Sequence, residues 1–229
     1  MTRAGLAEIA ETVAGLALTF VEPGSAEVTR FPESWRPIAR SSDPAHRHRS
    51  ALALWSREFL DLVPRFAGAL ETRFFDVRAG VTGDRPVLVY VAEAEDGGYV
   101  SWIGYDPRDF GEPPPFWESF PGPLRVFLRE VHAGFVSGRQ AAFGPARPVS
   151  MDTLANLADY PDGVPGWEDA EMSTTRLVQI ATDGGHLYYC LSPDLSPGEI
   201  ALIYEGDIDR QDFSAQLDEL MMSRLEDPG

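Results

Sequence analysis

The chain has 229 residues, 44% of them hydrophobic, and its 36 acidic residues against 19 basic ones give a net charge of -17. This apolar content argues against a disordered chain, and the acidity disfavours binding to nucleic acids or anionic membranes. The single cysteine, Cys190, excludes an intramolecular disulfide and fits a reducing compartment, so we expect a cytoplasmic protein.

The first part of the chain predicts helices followed by a group of strands. Apolar residues at three- and four-residue spacing indicate helices over 4–18 and 51–66, and the Pro-, Ser- and Arg-rich stretch 22–50 between them predicts a loop. The last two of the three strands that follow flank an Asp-Gly sequence typical of tight hairpins. These strands are predicted over 72–77, 86–92 and 99–105.

The middle of the chain contains a candidate domain boundary. Residues 106–117 include four prolines and predict a linker. This linker suggests an N-terminal α+β extension, 1–115, and a second domain, 116–229, although the two can also pack as one unit. A helix from about Pro121 to His132 follows, and Gly134 is expected to end it in the left-handed conformation. A partial positive charge on His132 would suit the negative end of the helix dipole at this C-terminus.

The C-terminal part predicts a short helix, three strands and a long final helix. The short helix covers 151–157, and the final helix starts near Asp212, a good N-cap. The strands are predicted over 174–181, 186–191 and 199–204. An apolar stripe on the final helix is expected to face the core: Phe213, Leu217, Leu220, Met221 and Leu225. The fold class is therefore α+β, with a mixed or largely antiparallel sheet and helices packed on one side.

Common catalytic motifs are missing from the sequence. It contains no Gly-x-Ser-x-Gly, no Gly-rich phosphate loop and, because every basic residue is arginine, no P-loop lysine. Cys190 lies inside a predicted strand and is interpreted as an inert buried thiol. His46 and His48 alone are too few to bind zinc. We predict no enzyme activity, no cofactor and no metal site.

The acidic excess predicts a surface that binds a basic protein. Residues 111–229 contain 20 acidic residues and seven arginines, and many of these acids lie in loops beside predicted strands. Two aromatic residues among them are candidate anchors. The predicted partner-binding residues are Asp159, Asp162, Trp167, Glu168, Asp169, Glu171, Tyr204, Glu205, Asp207, Asp209 and Asp212. The alternative is a solvated acidic rim that contributes only to solubility.

Three segments of the second half carry a family resemblance. They are the Pro-rich helix that opens with Phe120-Pro-Gly-Pro-Leu-Arg125, the Asp183-Gly-Gly-His186 hairpin, and the closing helix over 212–225. In this order and spacing they are similar to the SUKH superfamily, named for bacterial immunity proteins and the fungal Smi/Knr cell-wall regulators. The resemblance covers about residues 116–226, and residues 1–115 extend beyond a minimal member.

The resemblance implies an α+β fold, no enzyme activity, and a role as a bacterial immunity protein that neutralises a toxin made by the same cell. An acidic protein can occupy the basic cleft of a nuclease-type toxin, which agrees with the charge. One alternative is an intracellular scaffold or regulator of cell-envelope or signalling assemblies. A second is a small-molecule-binding protein with a pocket lined by Trp102, Tyr105 and Trp117.

Overall fold

A computed structural model describes residues 9, 11, 13, 17–137, 141–168 and 170–227 of the chain. The fold is α+β with two antiparallel sheets, which confirms the predicted class. Most of the helix predicted over 4–18 lies outside the described residues, as does Asp169 of the predicted binding surface. Leu18 begins a strand, so the helix prediction is wrong at that residue.

The first sheet has five strands in the order of the chain, each antiparallel to its neighbours. Its strands are β1 (Leu18–Phe20), β2 (Phe74–Thr82), β3 (Arg85–Glu93), β4 (Tyr99–Tyr105) and β5 (Phe135–Ser137). The second sheet has four strands, also in chain order. They are β6 (Val178–Thr182), β7 (Tyr188–Leu191), β8 (Glu199–Tyr204) and β9 (Asp207–Asp212). The sequence predicted six of these nine strands and missed β1, β5 and β9.

The described residues form seven α-helices. They are α1 (Arg36–Arg40), α2 (Pro44–Leu52), α3 (Arg57–Leu60), α4 (Pro64–Thr72), α5 (Gly122–Val126), α6 (Leu154–Leu157) and α7 (Phe213–Glu226). Helix α5 continues as a π-helical turn over Phe127–Val131. The final helix agrees with its prediction, since Asp212 accepts a hydrogen bond from the Ala215 amide at 2.8 Å.

Local capping explains why two predictions for the first half are wrong. The segment predicted as a loop over 22–50 contains α1 and α2, because Pro44 suits a first helical turn and Asp43 accepts from the Ala45 amide at 3.1 Å. The helix predicted over 51–66 is interrupted. Ser56 caps α3 by accepting from the Phe59 amide, and Pro64 starts α4.

The proline-rich segment 106–117 is packed against the fold, so its prediction as a linker is wrong. Phe110 and Trp117 are buried, and their rings contact each other. The guanidinium of Arg129 lies 4.8 Å from the centre of the Phe110 ring and 5.4 Å from that of Trp117. The aromatic side chains therefore attach this stretch to the helix that follows it.

One aromatic core joins the two ranges that the sequence separated at 115/116. The rings of Phe59 and Phe127 stack with their centres 4.0 Å apart, and the ring centre of Trp55 lies 5.0 Å from that of Phe135. Strand β5 also pairs with β4, with Phe135 opposite Gly104. The division into 1–115 and 116–229 stays a prediction, and in the structure the two ranges share a sheet and a core.

His132 lies inside this core and is uncharged. Its side chain is fully buried, its Nε2 is 2.8 Å from the Tyr90 hydroxyl, and burial lowers the pKa of its imidazole to about 3. The expected positive charge at the helix end is therefore wrong, although Gly134 does adopt the predicted left-handed conformation with φ of 108°. Trp102 and Trp117 are also buried, and the small-molecule pocket beside them stays a prediction.

The helices of the described residues are short. The longest, α7, has 14 residues, and none in the described part of the chain is long and apolar enough to cross a bilayer.

Candidate functional site

A cleft of about 590 Å³ opens on the face of the second sheet that points away from α7. Apolar and aromatic side chains make up most of its lining, and this volume is within the range of ligand-binding pockets. The lining residues are Leu154, Leu157, Ala158, Val164, Trp167, Thr174, Gln179, His186, Tyr188, Ile203, Glu205 and Gly206.

Strand alternation decides which side chains form the floor of the cleft. Tyr188 and Ile203 lie on the cleft face, above a small core that includes Cys190. Their neighbours in sequence, Tyr189 and Leu202, lie on the opposite face and join the main core. Burial raises the pKa of the Cys190 thiol, which agrees with its predicted role as an inert core residue.

The wall of the cleft is a loop held by backbone hydrogen bonds to the segment that leads into β6. The Leu154 amide donates to the Leu177 carbonyl at 2.9 Å, and the Ala155 amide donates to the Thr174 carbonyl at 3.1 Å. The Thr174 hydroxyl in turn accepts from the Val164 amide at 3.0 Å. These bonds hold α6 and the following turns at a fixed distance from the sheet, so the cleft is preformed.

The turn between β8 and β9 forms one end of the cleft. Glu205 and Gly206 both have positive φ, 49° and 95°, which is the geometry of a two-residue type I′ hairpin. Position 205 of such a turn favours Asn, Asp or Gly, and a glutamate is strained there. The Trp167 ring packs beside this turn, with Cζ2 3.8 Å from where a Cβ on Gly206 would lie.

Part of the predicted binding surface comes together at the cleft. Trp167 and Glu205 line it, and three further acids directly follow or closely precede lining residues: Asp159, Asp162 and Glu168. All three are exposed. Backbone amides of Glu168 itself and of Gly166 hold the pKa of the Glu168 carboxyl below its usual range. Leu157, which lines the cleft, is 48% exposed, so an apolar surface lies among these carboxylates.

The remaining predicted residues are not part of the cleft. Asp207 and Asp209 pair with Tyr204 and Leu202 across the β8–β9 ladder and share the opposite face of the sheet. The carboxylate of Asp212 caps α7, which gives it a structural role. Glu171 forms an ion pair with Arg210 at 2.5 Å. Of the ten predicted residues that the structure describes, some therefore lie at the cleft and others, such as Asp207 and Asp209, on the opposite face of the sheet.

The part of the chain that forms the cleft and the second sheet is strongly acidic. Residues 151–212 contain 13 acids and two arginines. Both arginines are paired, Arg210 with Glu171 and Arg176 with Asp194, the latter through two hydrogen bonds of 2.6 and 2.7 Å. These pairs neutralise two carboxylates and leave a large negative excess in this range.

Sequence reasoning missed the apolar part of this site. Leu157 and Tyr188 lie in a predicted helix and strand, where an apolar residue is normally interpreted as core. The only available signal was the acidic, turn-rich stretch between them with Trp167 inside it. The side of the sheet that this stretch covers depends on tertiary structure.

Comparisons with protein-family models, with curated proteins and with solved structures give no match to this chain.

Proposed function

We propose that the chain is a non-catalytic protein-binding module that recognises a basic partner with the acidic cleft face of its second sheet. The observation that carries this proposal is the charge of residues 151–212, where 13 acids accompany two arginines that are already paired. Opposite charge accelerates the encounter of such a surface with a basic protein. Like charge repels nucleic acids from the same surface.

The apolar residues beside the carboxylates support binding to a protein. Leu157 lines the cleft and Tyr160 is half-exposed nearby in the chain. Exposed apolar and aromatic side chains among polar groups are typical of interface anchors. Cys190 and His132 are both buried and neither lines the cleft.

The specific form of the proposal is a cytoplasmic, immunity-type protein that neutralises a basic toxin, such as a nuclease, by occupying its substrate-binding surface. The sequence resemblance of the second half to the SUKH superfamily supports it, and so does the acidity. An intracellular scaffold of envelope or signalling assemblies is the alternative. The two differ in the partner, because a toxin stops growth when it is expressed alone.

Capture of the partner by two matched triple variants tests the proposal. The immobilised wild-type chain and two variants are exposed to lysate of the source organism at low and high salt. The cleft variant is Asp159→Asn/Asp162→Asn/Glu205→Gln. The control variant is Glu58→Gln/Glu71→Gln/Glu112→Gln. Both variants lose three exposed carboxylates. We expect the wild type and the control to retain a basic protein that salt elutes, and the cleft variant to bind it several-fold more slowly.

The absence of lysine allows the contact surface to be mapped directly. A carbodiimide joins carboxylates to amines, so crosslinks to lysine in the complex must use the partner's lysines. We expect the crosslinked carboxylates to include Asp159, Glu168 and Glu205. Crosslinks confined to acids of the first sheet and its helices would contradict the proposed face. Growth arrest by the partner alone, relieved by co-expression of this chain, would support the immunity form over the scaffold.

A further inference from the structure

We infer that the cleft receives one arginine side chain of the partner, together with the apolar residues beside it in the partner's chain. This inference rests on the proposed function and specifies the group that the site recognises. It depends on the position of one carboxylate among aromatic and apolar walls.

Glu205 is the single carboxylate among the described residues that line the cleft, and no guanidinium lines it. The turns β6–β7 and β8–β9 lie at the same end of the sheet, because successive antiparallel strands reverse direction. The cleft therefore has a charged end at Glu205, with His186 nearby, and an apolar body formed by residues such as Leu154 and Ile203. An occupant must carry its positive charge at one end.

Aromatic rings favour arginine over lysine as that occupant. Trp167 and Tyr188 both line the cleft, and the planar guanidinium stacks on aromatic faces and binds a carboxylate through two hydrogen bonds. The methylene groups of an arginine can cover apolar walls while its guanidinium reaches the carboxylate. A lysine ammonium is more strongly hydrated and lacks the planar geometry.

The backbone of Glu205 supports this assignment. A glutamate with φ of 49° occupies a conformation that Asn or Gly adopts at lower cost, and this places the side chain at the cleft. The flanking acids Asp159, Asp162 and Glu168 add negative potential around the entrance, which selects a cationic segment over a neutral one.

Trp167 provides a spectroscopic reporter for the test. The chain has five tryptophans, and the other four, Trp35, Trp55, Trp102 and Trp117, are buried in the core. In a chain labelled with 5-fluorotryptophan, the resonance that disappears in Trp167→Phe belongs to the cleft. The four core resonances report that each variant is folded.

The probes are the peptides acetyl-Leu-Arg-Leu-amide and acetyl-Leu-citrulline-Leu-amide, which have nearly the same shape and differ in charge. We expect the arginine peptide to shift the Trp167 resonance and to bind about tenfold more tightly than the citrulline peptide at low salt. Glu205→Gln should remove this difference. The control Asp209→Asn, which loses the same charge on the opposite face, should keep it.

Each result decides the inference separately from the proposed function. Equal binding of both peptides, or no shift of the Trp167 resonance at millimolar arginine peptide, overturns the arginine assignment, whatever partner capture gives. An arginine preference that persists in Glu205→Gln overturns the role of that carboxylate. If the arginine peptide binds as expected but no basic partner is captured, the proposed function fails and the recognition site remains.

Discussion

Glu205 has a strained backbone and also lines the cleft, so one substitution there should change stability and binding in opposite directions. We expect Glu205→Asn to stabilise the fold by about 0.5–1 kcal/mol, because asparagine adopts a positive φ more readily. The same variant should bind the partner more weakly, since it loses the carboxylate. Denaturant midpoints measure the first effect and association rates measure the second.

Glu205→Gln is the matched control for this prediction. It removes the same charge but retains a long side chain in the left-handed conformation, so the relief of charge repulsion is common to both variants. We expect it to weaken binding without the conformational gain in stability. A Glu205→Asn variant that is no more stable than Glu205→Gln would contradict the proposed strain.

His132 is the residue whose titration should be visible in the stability of the fold. Burial lowers the pKa of its imidazole from 6.5 to about 3, so between these values the unfolded chain binds a proton that the folded chain does not. Its contribution is therefore complete above about pH 6.5 and is lost as the pH falls towards 3. The loss is about 1.4 kcal/mol per pH unit in the free energy of unfolding.

The variant His132→Gln isolates this contribution from that of the many carboxylates. Glutamine does not titrate, and its amide can still hydrogen-bond. Between about pH 6 and 4, we expect the free energy of unfolding to fall less steeply with decreasing pH in the variant than in the wild type. Parallel curves for the two proteins would show that His132 titrates alike in the folded and unfolded states.

At the scale of elements, α7 holds α4 in place through one buried carboxylate. Asp218 of α7 accepts from the backbone amides of Arg65 and Phe66 at 3.0 and 2.9 Å, at the first turn of α4. Amides at a helix start have no partner within the helix, and a carboxylate there also suits the dipole. We expect Asp218→Asn to destabilise the fold by about 1–2 kcal/mol in chemical denaturation.

Glu219→Gln is the control for this prediction. Glu219 is the next residue of α7, and its carboxylate forms an exposed ion pair with the Arg65 side chain. An exposed pair contributes about 0.5 kcal/mol or less. Equal losses in Asp218→Asn and Glu219→Gln would indicate that charge, not capping, explains the effect.

Strand β9 and helix α7, which follow one another in the chain, show what the sequence could and could not predict. Helix α7 was predictable because its cap Asp212 and its apolar stripe agree with each other. Strand β9 was missed because it is an edge strand with a single apolar residue, Ile208, and its hydrogen-bonded register with β8 determines it.

The candidate site was predictable to the extent that it depends on local sequence. Trp167 and Glu205 were identified from an acidic, turn-rich context, and both line the cleft. Asp209 was identified on the same grounds, but strand alternation puts it on the opposite face. Separating such residues requires the register of β8 and β9, and composition does not contain that information.

At the scale of the whole molecule, the shared core bears on how the chain folds. The ring of Phe127 stacks on Phe59 at 4.0 Å between centres, and Phe135 contacts Trp55 and Trp102. Residues 116–229 expressed alone would expose the rings of Phe127 and Phe135. They would also expose the edge of β5 that pairs with β4 in the whole chain. Exposing several large aromatic side chains costs a few kcal/mol each, a large part of the stability of a domain.

We therefore expect the fragment 116–229 to lack a cooperative unfolding transition and dispersed amide resonances. The full chain should unfold in one step, with coincident transitions by near- and far-ultraviolet circular dichroism. The variant Phe127→Ala in the full chain tests the same contact without truncation. It should lose about 3–5 kcal/mol, because it removes the partner that Phe59 stacks on. A fragment that unfolds cooperatively would instead establish 116–229 as an autonomous domain, with the first half as an addition to it.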